Sequence, residues 1–532
     1  MTGWSFVDDH LAIWPVLIPL LAAPLIVVVG QRGIARYASV AAMWLSFAAS
    51  VMLSITVERG GPIHYQIGGW EPPYGIEYVA DAFSTYMLIL VSFIGAIVLT
   101  ACGESFRREV AMNKWVIFYA TFLLCLTGLM GMCATGDLFN VFVFLEISSL
   151  SSYALISLGR DRRAPLAALR YLIIGTVGAT FFLIGIGLLY QTTGTLNMTD
   201  LAHRLPRESG SRTLVVAFAM MTVGLAIKMA LFPLHTWLPA AYTSAPSGVT
   251  AMLAATSTKV SVYAFIRLVH TIFTRQYAFE NFPLGDALMA FSLMGIFVAS
   301  IAAIFQSNVK RLLAYSSVAQ VGYMLLGVSM GTTGGLAAGV SHLMNHAVIK
   351  GGLFLVVAAV VLRTGSSDLI AFRGLGRRMP MSAGMMTIGL LGLIGVPLTA
   401  GFVTKWLLLT EALAIGSPVV AAMMLASSLL AVVYSWRIIE TMYFESAEPP
   451  IESSTPSPWA MRLGTAVMIG SVIGLGVWTK PSVGMARAAA ASLVNGDRLD
   501  GSKPMAAKTD HLPSRDARQS RHTPTTDSVA VP

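Results

Sequence analysis

The chain has 532 residues, of which 55% are hydrophobic and only 11% charged, and its mean hydropathy is +0.71. Soluble domains carry about 25% charged residues, so these values exclude a disordered chain and a soluble enzyme and leave a polytopic α-helical membrane protein. The net charge of +9 does not call for a nucleic-acid partner, because loop Arg and Lys are expected on the cytoplasmic side of such a protein.

The first ten residues, MTGWSFVDDH, lack the basic region of a secretory signal. Apolar runs long enough to cross a bilayer then follow at 11–30, 37–57, 79–101, 115–134, 138–158, 167–190, 213–240, 247–272, 286–305, 312–330, 334–362, 381–410, 418–444 and 461–479. This predicts an all-α fold of about fourteen membrane helices. One set of loops holds Arg32, Arg36, Arg107, Arg108, Lys114, Arg160, Arg162, Arg163, Arg170, Lys310, Arg311, Arg373, Arg377 and Arg378. The alternate set is poorer: Arg59, then Arg204, Arg207 and Arg212, then Arg275. The richer set is expected in the cytoplasm, which puts both termini outside a bacterial inner membrane. Loop 191–212 fits this least well. From about 485 the composition turns polar, and 485–532 is expected to be a disordered tail.

Two spans carry proline mid-run: LAIKMALFPLHTWLPAAYT (225–243), with Pro233 and Pro239, and LGLIGVPLTAGFVTKWL (391–407), with Pro397 between Gly395 and Gly401. Proline removes a helical hydrogen bond, and lipid tolerates the freed backbone only where protein or a wet cavity covers it. Pro233 and Pro397 are 164 residues apart. The chain therefore divides into N-terminal helices (1–110), two five-helix blocks (111–275 and 280–445), a last span (446–484) and the tail. Each block has a broken helix as its fourth member. An odd number of spans inverts the second block relative to the first, the pattern of inverted-repeat transporters.

Ionisable groups inside spans are costly and mark a pathway. Here they are Glu146, Lys228, Lys259, His342, His346, Lys350 and Lys405, with His235 inside the first break. His342, His346 and Lys350 share one helix face. Burial weakens a lysine's hold on its proton and a nearby carboxylate strengthens it, so a Glu–Lys pair of changing separation is a proton switch. Glu146 and Lys228 are the candidate pair. Lys228, Lys259, His346, Lys350 and Lys405 would form a relay at mid-depth, with Lys405 as exit. Bland alternatives exist: Lys405 as a snorkelling lysine, His342 or His346 as a core histidine, Asp137 as an interfacial cap. HLMNH at 342–346 lacks the glutamate of a metalloprotease helix, so no metal is expected. Cys102, Cys125 and Cys133 have neither zinc nor iron–sulfur spacing and read as core residues. No phosphate-cradling loop and no nucleophilic triad is present, so no cofactor, redox site or hydrolytic site is expected in this chain.

The stretches GDLFNVFVFLEISSLSSYALI (136–156), KMALFPLHTWLPAAYTSAPS (228–247), TKVSVYAFIRL (258–268), KRLLAYSSVAQVGY (310–323), HLMNHAVIKGGLFL (342–355) and GVPLTAGFVTKW (395–406) resemble the antiporter-like subunits of complex I, membrane-bound hydrogenases and Mrp-type cation/proton antiporters. The resemblance covers about residues 80–445. It implies fourteen helices in two inverted repeats, with Glu146 and Lys228 as the coupling pair and Lys259, His346, Lys350 and Lys405 as the relay. One complex I subunit of the family carries Glu at the last position, so Lys405 argues against that one. The wording around Glu146 and the phrase APSGVTAMLAATSTKVSVYAF (245–265) look most like the D-type component of the Mrp antiporters. Neither the long lateral helix of the largest complex I relative nor the extra membrane domain of the A-type Mrp component has a counterpart here. The implied function is proton translocation in a multisubunit Na⁺(K⁺)/H⁺ antiporter, with other membrane subunits as partners. The alternative is a proton-pumping subunit of an NADH:quinone oxidoreductase or hydrogenase, whose iron–sulfur chemistry would sit in partner chains. A stand-alone proton channel and an inert scaffold are weaker rivals.

Overall fold

The computed structural model describes residues 9–208, 210–446 and 457–496. The chain runs through α1 (Trp14–Val29), α2 (Arg32–Gly60), a hairpin of β1 (Ile63–Gln66) and β2 (Glu77–Ala80), α3 (Ala82–Ala101), α4 (Trp115–Ala134), α5 (Leu138–Ser157) and α6 (Ala164–Thr193). Next come α7 (Arg212–Lys228), α8 (Trp237–Ser244), α9 (Ser247–Ala255), α10 (Ser257–Arg267), α11 (Leu284–Ile304), α12 (Val309–Ser329) and α13 (Thr333–Thr364). The last five are α14 (Pro380–Ile394), α15 (Ala400–Ala414), α16 (Pro418–Tyr443), α17 (Trp459–Val477) and α18 (Lys480–Gly496).

Among the described residues, eleven helices are long and apolar enough to cross a membrane, fewer than the fourteen expected. Three expected spans miss that measure for visible reasons. Helix α1 has 16 residues, and the spans at 213–240 and 381–410 are each split into two short helices. The span at 247–272 is divided as well. Thr256 leaves helical geometry (φ −122°, ψ −57°) between α9 and α10, and the segment ends in a π-turn at Leu268–Ile272. The fold also departs from all-α: β1 and β2 pair antiparallel, with Ile63 opposite Ala80.

Helices α3, α9, α10, α12 and α13 are buried nearly all round. Helices α2, α6, α11 and α16 bury one stripe and expose Leu45, Ile173, Val298 and Leu429. Exposed apolar side chains of this kind face hydrocarbon in a membrane protein. Helix α13 is the central post, packed against α9, α12, α14, α15, α17 and α18.

Loops join at two opposite ends. At one end, Arg160 N donates to Glu109 O (2.9 Å), Val309 N to Ser367 O (2.8 Å) and Leu369 N to Ser307 O (2.8 Å). At the other, Gly136 N donates to Glu77 O (2.9 Å), Leu138 N to Leu196 O (2.9 Å), and Asn197 Nδ2 to Glu77 Oε1 (2.6 Å). Arg107, Arg108 and Arg160 of the basic loop set therefore gather on one face. In loop 191–212, Arg204 is paired with Asp200 at 2.8 Å and donates to Thr193 O, so its charge is locally met.

The expected tail begins too early. Residues 485–496 belong to α18, which buries Ala486, Ala489, Ala490 and Leu493. Their i, i+3, i+4, i+7 spacing is that of an amphipathic helix, hidden in a composition of small residues. Residues 497–532 lie outside the described residues.

Candidate functional site

The two proline breaks open the backbone where the lysines are. After Lys228 the chain leaves the helix, with Ala230 in left-handed conformation (φ +58°). After Ile394 it does so again through Gly395 (φ +92°) and Leu398 (φ +71°). A non-glycine residue at positive φ is uncommon and costs about 1–2 kcal/mol. Both breaks hold one, a pattern typical of functional sites.

A helix end leaves carbonyl oxygens without partners and carries partial negative charge. Two of the lysines, Lys259 and Lys405, use such ends, and a third stands at one. Lys228 is the last residue of α7. Lys259 donates to the Ala254 carbonyl, freed by the Thr256 break, and to Thr258 Oγ1 at 3.3 Å. Lys405 reaches back from α15 to the carbonyls of Ile394 (2.8 Å) and Leu393 (3.3 Å), which end α14, and to Ser428 Oγ (3.2 Å). These three oxygens hold the head of the partly buried Lys405 at the break. A cavity of about 310 Å³ lies beside it.

At the first break, Glu146 and Ser149 stand one turn apart on α5, facing Lys228. Lys228 Nζ lies 3.4 Å from Glu146 Oε1 and 2.8 Å from Ser149 Oγ. The lysine is buried, whereas the carboxylate side chain keeps 23% of its surface exposed. Trp237 braces this corner. Its Nε1 donates to Ile227 O (3.0 Å) and its ring stacks on Tyr171 at 3.9 Å.

Between the two breaks in sequence, α13 carries His342, His346 and Lys350 along one buried face. Lys350 Nζ donates to Leu313 O (2.7 Å) and to Ser316 Oγ on α12. His346 stacks parallel to His342, with ring centres 5.8 Å apart, and neither of its nitrogens has a hydrogen-bonding partner among the described residues. Its charged and titratable neighbours are Lys259, Lys350 and His342. His342 differs: it bonds Thr404 Oγ1 (2.8 Å) and Gln320 Oε1 (2.9 Å). Tyr323 lies between His342 and Lys405, 6.0 Å from the His342 ring and 4.9 Å from Lys405 Nζ.

Two lower-ranked candidates fall elsewhere. Asp137 is the N-cap of α5, accepting from Asn140 N at 2.7 Å. His235 lies in the first break, stacked on Phe232, with Nδ1 unpartnered among the described residues. The structure pairs Glu146 with Lys228, stacks His346 on His342 and sets Tyr323 between His342 and Lys405, whereas Lys350 is bonded to Leu313 O and Ser316 Oγ. No direct bond joins Lys228 to Lys259 among the described residues.

Sequence reasoning missed Ser149, Ser316, Gln320, Thr404 and Tyr323, all ordinary helix residues until a lysine or histidine is placed against them. It also placed Lys310 among the loop charges. Lys310 is in the first turn of α12, buried, and donates to Ala245 O at 3.0 Å. Arg267 was missed too; it is buried against Asp81 at 2.5 Å. Cys102, Cys125 and Cys133 are all buried, as core cysteines would be.

Comparison with known proteins adds to this geometry. A family profile described as NADH:quinone oxidoreductase/Mrp antiporter, TM, matches residues 135–431, a range that contains every member of the line from Glu146 to Lys405. The chain is 42% identical over 478 residues to NADH-quinone oxidoreductase subunit N of Desulforudis audaxviator, covering 88% of this chain and 95% of that one. It is 30% identical to the D component of the Na(+)/H(+) antiporter of Alkalihalophilus pseudofirmus, covering 89% and 95%. Among solved structures, it superposes with a TM-score of 0.84 and 31% identity on a chain of the membrane-bound sulfane sulfur reductase, an archaeal respiratory membrane complex, covering 92% of this chain and 99% of that one.

Proposed function

This chain belongs to the membrane-subunit family shared by NADH:quinone oxidoreductases and Mrp antiporters, and from that premise we propose that it moves protons along Glu146, Lys228, Lys259, His346, Lys350 and Lys405. One observation carries the reading: Lys228 at the first break meets the partly exposed Glu146, and Lys259 and Lys405 are held on carbonyls freed at two further breaks in membrane helices. A group in that position gives up or takes a proton as its contacts shift. Separation of Glu146 from Lys228 would release the lysine's proton inward, and their approach would reload it. The fourteen crossings, with 111–275 and 280–445 as inverted repeats, belong to the same reading. So do the placement of the arginine-rich face in the cytoplasm and of both termini outside a bacterial inner membrane.

The partners are other membrane subunits, as in the respiratory complex that its fold matches. Identity of 42% to the oxidoreductase relative against 30% to the antiporter relative supports a redox-driven assembly, in which partner chains supply the electrons. The second reading is a gradient-driven Na⁺ or K⁺/H⁺ antiporter, supported by the phrases around Glu146 and at 245–265. There a proton crossing the membrane potential supplies about 2.3 kcal/mol per 100 mV.

The composition of the native complex separates them. The chain is tagged, extracted in mild detergent, and its companions are identified by mass spectrometry with elemental analysis. Iron-bearing peripheral subunits support the redox-driven pump. Small membrane subunits without iron support the antiporter. A chain purified alone, with full proton flux in vesicles, contradicts both.

A further inference from the structure

Lys228 has Glu146 beside it, but no carboxylate lies within ion-pair distance of Lys405 among the described residues. The three N–H donors of its ammonium are taken by the carbonyls of Leu393 and Ile394 and by Ser428 Oγ. What stands beside the charge instead is an aromatic face. Lys405 Nζ lies 4.9 Å from the centre of the Tyr323 ring, inside the distance of about 6 Å at which a ring's negative face attracts a cation.

The ring is fixed in that place. Tyr323 is buried on α12, and its hydroxyl is hydrogen-bonded to Ser427 Oγ. Ser427 and Ser428 are consecutive on α16, so one helix ties down the tyrosine through the first serine and the ammonium through the second. The cavity of about 310 Å³ beside Lys405 is walled by Tyr323, Ser428, Ile394, Phe402 and Met424, among others. Mostly apolar walls screen the contact little, so the attraction counts for more there than at a wet surface.

Few other groups compete with the ring. His342 on α13 faces Lys405 with Tyr323 between them. On α12 the next titratable residue is Tyr315, two turns before Tyr323. Helix α14 carries none, and those of α16 begin at Tyr434, six residues past Ser428. Helix α17 carries only Arg462, fourteen residues before Gly476, which packs on the break at Leu398. On α15 itself, Glu411 lies six residues beyond Lys405 and accepts from Thr332 Oγ1.

Building on the proton-relay reading, we propose that Tyr323 is a positioning residue that sets the proton affinity of Lys405, its ring face stabilising the ammonium over the amine. Glu146 gives Lys228 a charged partner in a contact that forms and breaks. Tyr323 gives Lys405 an uncharged partner that Ser427 holds still. The lysine at the first break is thereby switched, and the lysine at the second is kept at a constant affinity.

The test reads Lys405 in the assembled complex. A small amine-acetylating reagent is applied over a series of pH values, and mass spectrometry follows the peptide that holds Lys405, because only the neutral amine reacts. Proton flux into vesicles over the same series gives a second reading that needs no reagent. Tyr323→Phe keeps the ring and drops the hydroxyl. Replacing Tyr323 by a trifluorinated phenylalanine keeps nearly the same shape and drains charge from the ring face. Tyr323→Leu removes the ring. The half-labelling pH and the alkaline limb of flux are expected to change little in Tyr323→Phe and to fall in the fluorinated chain. In Tyr323→Leu they should fall by about one pH unit. Where Tyr323→Leu does not assemble, the fluorinated chain, which fills the space of phenylalanine, decides. Identical profiles for phenylalanine and its fluorinated form overturn the proposal. A full shift in Tyr323→Phe overturns it too, by giving the effect to the hydroxyl. Lys405→Ala separates the two levels. If it loses flux while fluorination moves neither reading, the relay stands and the role of Tyr323 falls. If Lys405→Ala conducts normally, Lys405 leaves the relay and the proposal goes with it.

Discussion

The ammonium of Lys405 lies 2.8 Å from the carbonyl oxygen of Ile394, the last residue of the half-helix that precedes it. The contact depends on Gly395, which turns the chain at φ +92° and brings its Cα against the Lys405 stem. A Cβ there would meet Lys405 Cδ at 2.9 Å. Gly395→Ala is expected to cost about 1–2 kcal/mol in backbone strain and to push Lys405 off its carbonyls. The check is proton flux alongside thermal unfolding of the purified complex. Flux should fall more steeply than the modest loss of stability explains, and an unchanged rate would detach Lys405 from the pathway.

His342 and His346 offer an internal contrast. His342 is bonded at both ring nitrogens, so His342→Leu leaves Gln320 and Thr404 without their partner and should cost about 1–3 kcal/mol. His346 has no such protein partner to strand. His346→Leu is expected to fold nearly as well as the parent and to lose proton flux. Equal effects of the two on both stability and flux would contradict the division of roles.

Much of this arrangement is legible in the amino-acid order alone. Apolar length locates the spans, and proline inside two of them locates the breaks. Charge inside lipid locates Glu146, Lys228, Lys259, His346, Lys350 and Lys405. What stays hidden has no composition of its own. Thr256 interrupts its helix without a proline or glycine to announce it. The hairpin around Ile63 and Ala80 is too short and too mixed in polarity to stand out. Lys310 follows a loop in sequence, and only the approach of the Ala245 carbonyl turns it inward. Helix α18 has alanine at five of its 17 positions, a residue whose helical preference is strong but whose apolar signal is weak.

Asp81 does two jobs at the start of α3. It forms a capping box with Ser84 and pairs with the buried Arg267 at 2.5 Å. Asp81→Ser keeps an N-cap but strands the guanidinium, which should cost about 3–5 kcal/mol. Thermal unfolding in detergent measures this. The double variant Asp81→Ser with Arg267→Leu should recover part of the loss, because no unpaired buried charge remains.

Outside the membrane spans, His64 Nδ1 lies 3.0 Å from Glu77 Oε2. The hydrogen bond to Glu77, aided by that carboxylate's charge, holds the His64 pKa above 6.5 against partial burial. Burial works to raise the Glu77 pKa, but its bonds to His64 and Asn197 and the His64 charge together bring it below 4.5. The histidine's contribution to stability is fully present below pH 6.5 and is lost as pH rises through its raised value. The glutamate's contribution is present above pH 4.5 and is lost as pH falls through its lowered value. Hairpin amides should therefore be best protected from hydrogen exchange, after correction for intrinsic rate, between about pH 4.5 and 6.5. His64→Gln should remove the loss on the alkaline side, and an unchanged profile would exclude the pair as its cause.

The pairing of Glu146 with Lys228 is the most direct point of attack on the relay. In the wild type the lysine is shared between Glu146 and Ser149, an arrangement suited to a contact that forms and breaks. The deciding measurement is proton flux through vesicles containing the fully assembled complex with Lys228→Ala, compared with wild type at equal protein and intact subunit composition. Loss of at least about 100-fold is expected for a group that carries the proton. Undiminished flux in a well-assembled Lys228→Ala complex would contradict proton passage through this site.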